Sequence, residues 1–153
     1  MISSKRRASV ACRIDSAFDY VADWKNIKDF MPMLLNVEPT SLVQYGPGAS
    51  FDVTIVLGRL EMKTSLDVTE FVKNSKVTLK TTKGIRLRVA WEFKDIGDNV
   101  LITFSFDYDF PSGFTVRQDP KEALEKELED AASRSMDLLK WVLESSCDKN
   151  DAH

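Results

Sequence analysis

A period-two alternation of apolar and polar residues is the feature that most limits what this chain can fold into. It recurs in four stretches, residues 51–57, 60–68, 85–93 and 102–110. Such alternation is typical of antiparallel strands with one buried face and one exposed face. The segments at residues 57–60, 73–76 and 96–99 contain glycine or asparagine, which favour tight turns. The central part of the chain is therefore predicted to form a sheet of strands joined by short turns.

The turns also predict a register for the strands. A turn centred on Gly97-Asp98 gives three apolar pairs on one side of the sheet: Trp91–Phe104, Val89–Phe106 and Leu87–Tyr108. The same register gives two pairs of opposite charge on the other side: Arg88–Asp107 and Arg86–Asp109. A turn centred on Gly58-Arg59 gives two more apolar pairs: Ile55–Met62 and Phe51–Leu66. Both registers are self-consistent, because apolar residues pair with apolar residues and arginines pair with aspartates.

Helical patterns lie on both sides of these strands. Val10–Ile14 is predicted as a first strand, followed by short helices in "SAFDYVAD", capped by Asp15 or Ser16, and in "WKNIKDFMP". A long helix covers "EKELEDAASRSMDLLKWVLESS" near the end of the chain. Only helices are available to cover the apolar face of the sheet, which predicts an α+β fold with the long helix across it. We expect one domain over residues 1–147 and a disordered polar tail over 148–153.

Composition excludes several classes of function. The net charge of −3 argues against binding of nucleic acid through phosphate neutralisation. No apolar run approaches the ~20 residues that span a bilayer. The basic N-terminal stretch has no apolar segment after it and is not expected to be a secretory signal. The two cysteines, Cys12 and Cys147, are far apart in sequence, so a soluble cytoplasmic protein with free thiols is expected.

The chain contains a single histidine, His153, at its last position. This excludes a Ser-His-Asp or Cys-His arrangement and a histidine general base in the folded domain, and it argues against a metal site of the usual kind. The stretch "YGPGAS" at 45–50 predicts a tight turn, but no helix signal follows it to form a phosphate loop. No metal or cofactor is therefore expected.

The apolar stripe of the long helix has small residues at its centre. Ala131, Ala132 and Ser135 lie between the larger Leu128 and Leu139. Small residues there either let the helix pack closely on the sheet or leave a cavity for a ligand. The inner face of the last two predicted strands is rich in aromatic residues, which can form core or close such a cavity: Trp91, Phe93, Phe104, Phe106, Tyr108 and Phe110.

The order of elements resembles the START-like superfamily, which includes birch-pollen-allergen-like and polyketide cyclase/dehydrase proteins (the SRPBCC proteins). The stretches "RIDSAFDYVADWKNIKDFMPMLLNVEP" and "YGPGASFDVTI" and the small residues of the long helix carry the resemblance. It implies a helix-grip fold, in which a strongly curved antiparallel sheet of about seven strands wraps a long C-terminal helix. Two short helices follow the first strand. It also implies a deep cavity for a hydrophobic small molecule such as a lipid, an isoprenoid quinone or a polyketide.

Eleven residues are predicted to contact such a ligand: Thr64, Leu66, Val89, Trp91, Phe104, Phe106, Tyr108, Ala131, Ala132, Ser135 and Leu139. Few polar side chains are predicted on the inner face: Thr64, Glu70, Thr81 and Tyr108. A small number of polar groups in an apolar pocket fixes ligand orientation. Tyr108 and Glu70 are the candidate catalytic residues. Glu70 lies near the end of a predicted strand, where a bulge would turn it outward, and it acts as an acid only if it points inward.

Three functions remain open from sequence. The first is a binding or transport protein, with ligand exchange gated by the loop Pro111–Gln118, which is also a candidate for transient membrane contact. The second is a cyclase or aromatase, which the absence of an inward histidine argues against. The third is a closed-core domain that contacts another protein through its acidic helix. A set of outward cations is interpreted either as a patch for anionic lipid headgroups or as cross-strand partners of acidic residues: Arg59, Lys63, Lys76, Lys80, Arg86 and Arg88.

Overall fold

The computed structural model describes residues 2–58, 60–82, 86–109 and 121–151. Its strands are β1 (Ile2–Val10), β2 (Leu34–Pro39), β3 (Ser50–Leu57), β4 (Leu60–Val72), β5 (Lys76–Thr81), β6 (Arg86–Asp95) and β7 (Val100–Asp109). Its helices are α1 (Ile14–Ala22), a 3₁₀ helix (Trp24–Asn26), α2 (Ile27–Phe30) and α3 (Lys121–Asp151).

The strands form one antiparallel sheet in the order β1-β7-β6-β5-β4-β3-β2. The first two strands of the chain are thus at opposite edges, and α1, the 3₁₀ helix and α2 connect one edge to the other. Helix α3 contacts β1, β3 and α2. The structure confirms the predicted α+β helix-grip arrangement, with seven strands, one long C-terminal helix and short helices after the first strand.

The predicted register is confirmed in both hairpins. On the inner face Trp91 pairs with Phe104, and on the outer face Arg88 pairs with Asp107. In the other hairpin Phe51 pairs with Leu66. Gly97 has a φ of +105°, in the left-handed region that favours glycine, which accounts for the turn between β6 and β7. Cross-strand pairs of this kind each contribute roughly 0.2–1 kcal/mol to sheet stability.

The first strand lies earlier than predicted. The prediction placed it at Val10–Ile14, but β1 spans Ile2–Val10 and α1 already begins at Ile14. The cause is tertiary, because β1 pairs with β7 along its whole length. In addition, the Arg6 guanidinium donates to Ser133 of α3 at 3.0 Å and forms an ion pair with Glu129. β1 is an edge strand with many polar residues, and its partners come from the later part of the chain. Its own sequence therefore lacks the apolar–polar alternation that would have predicted a strand.

Both helix boundaries near the ends of the chain also differ from expectation. The N-cap of α1 is Arg13, without a capping side chain, whereas Asp15 or Ser16 was predicted. The last helix continues to Asp151, into the tail predicted to be disordered. No glycine or proline follows Pro120, so nothing in the sequence stops the helix. Its 31 residues correspond to a length of about 46 Å.

Cys12 is disulfide-bonded, and the expectation of free thiols is wrong for this residue. The two cysteines are far apart in sequence, so the sequence did not indicate that the two ends of the chain lie close together. The N–H of Ala11 donates to the Glu144 carboxylate at 2.9 Å, so the segment after β1 lies against the last part of α3. The other cysteine of the chain is Cys147. Disulfides are rare in the cytosol, and the predicted cytoplasmic location stays a prediction.

Among the described residues, no helix combines the length and the hydropathy needed to cross a membrane.

Helices α1 and α2 are joined by a hydrogen bond with a consequence for stability at high pH. The Tyr20 hydroxyl donates to Asp29 at 3.2 Å. Burial, followed by the charge of Asp29 and this hydrogen bond, raises the pKa of Tyr20 from 10.0 to about 12. Between those pH values the unfolded chain has lost the phenol proton and the folded chain has kept it. The free energy of unfolding is therefore expected to fall as pH rises through this window.

This dependence is measured by urea unfolding at a series of pH values from about 9 to 12. Tyr20→Phe removes the titrating group, so its stability should fall less steeply in the window. Tyr45→Phe is the matched control for the loss of a phenol, because it makes the same change at a position that is about half exposed. An unchanged slope in Tyr20→Phe would contradict the assignment to Tyr20.

Candidate functional site

A cavity of about 50 Å³ lies between the inner face of the sheet, α2 and the middle of α3. We call it the main cavity. All of its lining side chains are apolar: Ile27, Met31, Met33, Leu34, Ile55, Leu57, Leu66, Leu79, Leu87, Val89, Phe104, Phe106, Leu128 and Ala132. An ordered water needs about 10–15 Å³ and two to four polar partners. The space is large enough for water, but the lining offers no polar side chain to hold it.

The predicted ligand-binding residues divide into two groups. Five line the main cavity: Leu66, Val89, Phe104, Phe106 and Ala132. Six are buried but do not line it: Thr64, Trp91, Tyr108, Ala131, Ser135 and Leu139. The small residues of α3 therefore differ in position, because Ala132 lines the cavity whereas Ala131 and Ser135 are buried and do not line it. The ligand-binding role of all eleven residues stays a prediction.

Sequence reasoning missed the wall that the short helices supply. Ile27, Met31 and Met33 line the cavity from α2 and the segment after it. A short helix was predicted in this stretch, but it is too short for a period that would show which of its side chains face the sheet. The alternation did place Ile55 and Leu87 on the inner face, but it did not indicate which inward residues would border a cavity.

Four aromatic side chains of β6 and β7, which we call the aromatic column, pack in a row on the inner face of the sheet: Trp91, Phe104, Phe106 and Tyr108. The ring of Trp91 lies 4.2 Å from that of Phe104, measured between centroids, and 5.5 Å from that of Phe30 in an edge-on contact. Phe106 stacks on Tyr108 at 6.0 Å. The aromatic side chains thus close one part of the interior and, through Phe104 and Phe106, border the part that remains open.

Tyr108 is fully buried in this column. Burial raises the pKa of its phenol above 10.0, and the nearby charges of Glu125 and Glu129 raise it further. A raised pKa keeps the phenol protonated at neutral pH, which suits a hydrogen-bond donor and makes proton transfer to a substrate harder.

Glu70 points outward, which is the alternative that the sequence left open and the one in which it cannot act as a buried acid. A bulge between Val68 and Glu70 shifts the register of β4 and turns the carboxylate to the surface. There it accepts a hydrogen bond from the Thr78 hydroxyl at 3.0 Å, and Lys76 and Arg88 each lie 3.5 Å away. The Thr78 bond is the main cause that lowers the pKa of Glu70, with these cations adding to it. A buried acid with a raised pKa is therefore excluded at this position.

The other polar side chains predicted on the inner face, Thr81 and Thr64, do not line the main cavity. The Thr81 hydroxyl accepts from the backbone N–H of Leu87 at 3.0 Å and thereby joins β5 to β6. Thr64 is buried opposite Val53 and does not line the main cavity.

On the outer face, Arg88 lies 3.5 Å from Asp107, as the cross-strand interpretation of the cations predicted. Arg59 and the segments 83–85 and 110–120, including the predicted gating loop Pro111–Gln118, lie outside the described residues.

A second cavity of about 40 Å³ lies beside the first, between the end of α1, the 3₁₀ helix and strands β3 to β5. Trp24, Tyr45, Phe51 and Phe71 belong to its lining. Three residues line both cavities and separate them: Ile27, Leu66 and Leu79. The interior therefore contains two adjacent spaces with a shared aliphatic wall.

The fold is shared with solved structures of low sequence identity. A protein from Thermus thermophilus, TTHA0849, has 9% identity and a TM-score of 0.78, with 95% of this chain and 99% of that chain covered. A START superfamily protein from Mycobacterium smegmatis has 12% identity and a TM-score of 0.73, with 94% and 97% covered. The di-domain ARO/CYC StfQ of the steffimycin biosynthetic pathway has 14% identity and a TM-score of 0.73, with 95% and 51% covered. At these identities the likeness shows the fold alone.

No curated protein sequence matches this chain. The family model for polyketide cyclases/dehydrases and lipid transport matches residues 1–144, and the chain belongs to that family.

Proposed function

We propose that this protein binds a hydrophobic small molecule in the main cavity and carries or stores it. The observation that supports this most directly is the wholly apolar lining at the centre of the sheet–helix interface. A folding core has no need of an empty space there, because each unfilled volume lowers stability. Burial of apolar ligand surface contributes about 25 cal/mol per Å² and needs no polar partner in the wall.

The size of the cavity adds a requirement to the proposal. At about 50 Å³ it is much smaller than a lipid or a quinone, so the walls must move when such a ligand enters. The wall formed by Met31 and Met33 is suited to that movement, since methionine side chains are unbranched and flexible.

Binding is favoured over catalysis by the positions of the two candidate catalytic residues. Neither Tyr108 nor Glu70 lines the main cavity, and Glu70 is on the outer surface. A general acid or base must come within hydrogen-bond reach of the reacting atom. The family and the likeness to StfQ make a cyclase the natural rival, and turnover lost on Tyr108→Phe would support that rival.

Native mass spectrometry of gently purified protein, compared with its denatured mass, tests the proposal. We expect a bound species that adds mass in the native spectrum and is released on unfolding. The same measurement after incubation with lipid and quinone extracts covers the case in which purification removes the ligand. If the protein remains at its apo mass after both treatments, the carrier function is rejected.

A further inference from the structure

The second cavity contains a buried hydrogen-bond donor without an acceptor. Trp24 lines this cavity, and its indole Nε1 is inaccessible to solvent and has no hydrogen-bond partner within the described part of the chain. Buried polar groups nearly always have partners, because an unsatisfied donor loses its hydrogen bonds to water without replacement. The Trp24 side chain borders the cavity, and the movement of the walls that admits a ligand must also expose the indole N–H to an acceptor on that ligand.

The surrounding residues hold the indole in place. Asp23 caps the 3₁₀ helix by accepting from the backbone N–H of Lys25 at 3.0 Å. The Asn26 side chain donates to the carbonyl of Tyr20 at 3.1 Å and ties the same turn to α1. The indole ring lies 6.0 Å from the ring of Phe51. A donor fixed in this way keeps its orientation when the cavity is empty, which reduces the entropy lost on binding.

The wall between the two cavities is formed by aliphatic side chains alone. Ile27, Leu66 and Leu79 line both spaces. Rotation of such side chains is a small movement compared with the displacement of a helix. A single elongated ligand can therefore place its apolar chain in the main cavity and its head in the second one.

The charges around Trp24 favour a neutral head group. The residues that line the second cavity include no lysine or arginine. Trp24 is flanked in sequence by Asp23 and Lys25, whose charged groups lie 4.0 Å apart as an ion pair, so the pair supplies no net charge to the head group. A fatty-acid carboxylate would thus be buried without a cation, whereas a ketone, quinone or ester carbonyl needs only one donor.

We propose that the second cavity is the head-group subsite for an elongated neutral carbonyl compound, with the Trp24 indole N–H as the donor to its carbonyl oxygen. This assignment rests on the proposed binding function and specifies its ligand class. It makes Trp24 a specificity-determining residue that separates carbonyl compounds from hydrocarbons of the same length.

Three probes of equal chain length test the subsite: methyl nonyl ketone, undecane and undecanoate. Affinities for the volatile pair are measured by headspace gas chromatography and for undecanoate by calorimetry. We expect the wild-type protein to bind undecanoate most weakly of the three, because its carboxylate would be buried without a cation. Trp24→Phe keeps an aromatic ring and removes the donor, so it should lower the ketone-to-undecane affinity ratio by roughly tenfold, the value of one satisfied hydrogen bond, at unchanged undecane affinity.

A spectroscopic signal tests the same contact without any variant of Trp24. The chain has three tryptophans, and the indole N–H resonance of Trp24 should shift with methyl nonyl ketone but not with undecane. Trp141→Phe is the matched control, because Trp141 is 68% exposed on α3. Its loss should leave the ketone-to-undecane affinity ratio unchanged.

The outcomes separate this inference from the proposed function. A ketone-to-undecane affinity ratio that is unchanged in Trp24→Phe, with a Trp24 resonance that does not shift, overturns the subsite and leaves the carrier function standing. If none of the probes binds, both the carrier function and the subsite are rejected.

Discussion

Trp91→Ala is expected to lower the free energy of unfolding by about 3–5 kcal/mol, the largest stability effect that we predict for a single substitution. The side chain is 1% exposed and contacts the rings of Phe104 and Phe30, which belong to the sheet and to α2. Its removal leaves a void between these two elements, and packed neighbours only partly fill such voids. Urea unfolding followed by circular dichroism measures the change.

Trp141→Ala is the matched control for this substitution. It removes the same side chain from a position that is 68% exposed, where changes usually stay within about 0.5 kcal/mol. A loss for Trp91→Ala as small as that of the control would mean that the aromatic column is not part of the core. The column would then be available to contact a ligand, as the sequence predicted for Trp91, Phe104 and Phe106.

The pairing of Trp91 with Phe104 illustrates what sequence alone can predict. It followed from the period-two pattern and from one turn at Gly97, both of which are local signals. A side-chain period of two leaves one choice of face once a turn is located, so the register of the whole hairpin is fixed. The order of the elements supplied the rest of the fold class.

Features set by distant partners were not predicted. The position of β1 depends on β7, and that of Arg6 depends on Glu129 of α3. The orientation of Glu70 was open between inward and outward, and the irregular pairing of β4 with β5 decided it. These are tertiary effects, and they decided where a candidate catalytic residue faces.

The sequence predicted a cavity between the sheet and α3, but it did not predict the volume of that cavity. Small residues on α3 indicated a space, and Ala132 does line one. The volume that remains is the difference between the spacing of the layers and the side chains that fill it, so it depends on how α2 and α3 dock. The Trp24 donor could not be found from sequence, because whether a buried N–H has an acceptor is known only when all its neighbours are placed.

Ala132→Leu is expected to weaken undecane binding by at least about tenfold while the protein stays folded. Ala132 is 2% exposed and lines the main cavity from the centre of α3. A leucine there would place its branched end in the space that the ligand is proposed to occupy. Filling an existing cavity commonly stabilises a protein by about 0.5–2 kcal/mol, and overpacking costs about 1–3 kcal/mol. Headspace gas chromatography and urea unfolding measure the two effects separately.

Arg134→Leu provides the control, since it adds the same side chain to an exposed position of the same helix. It should bind undecane as the wild type does. If Ala132→Leu folds and also binds undecane unchanged, the ligand does not enter the main cavity, and the proposed function loses the site that supports it. If binding is lost while stability is retained or increased, the small residue at the centre of α3 is kept for the ligand and not for packing, because packing alone would favour the larger side chain.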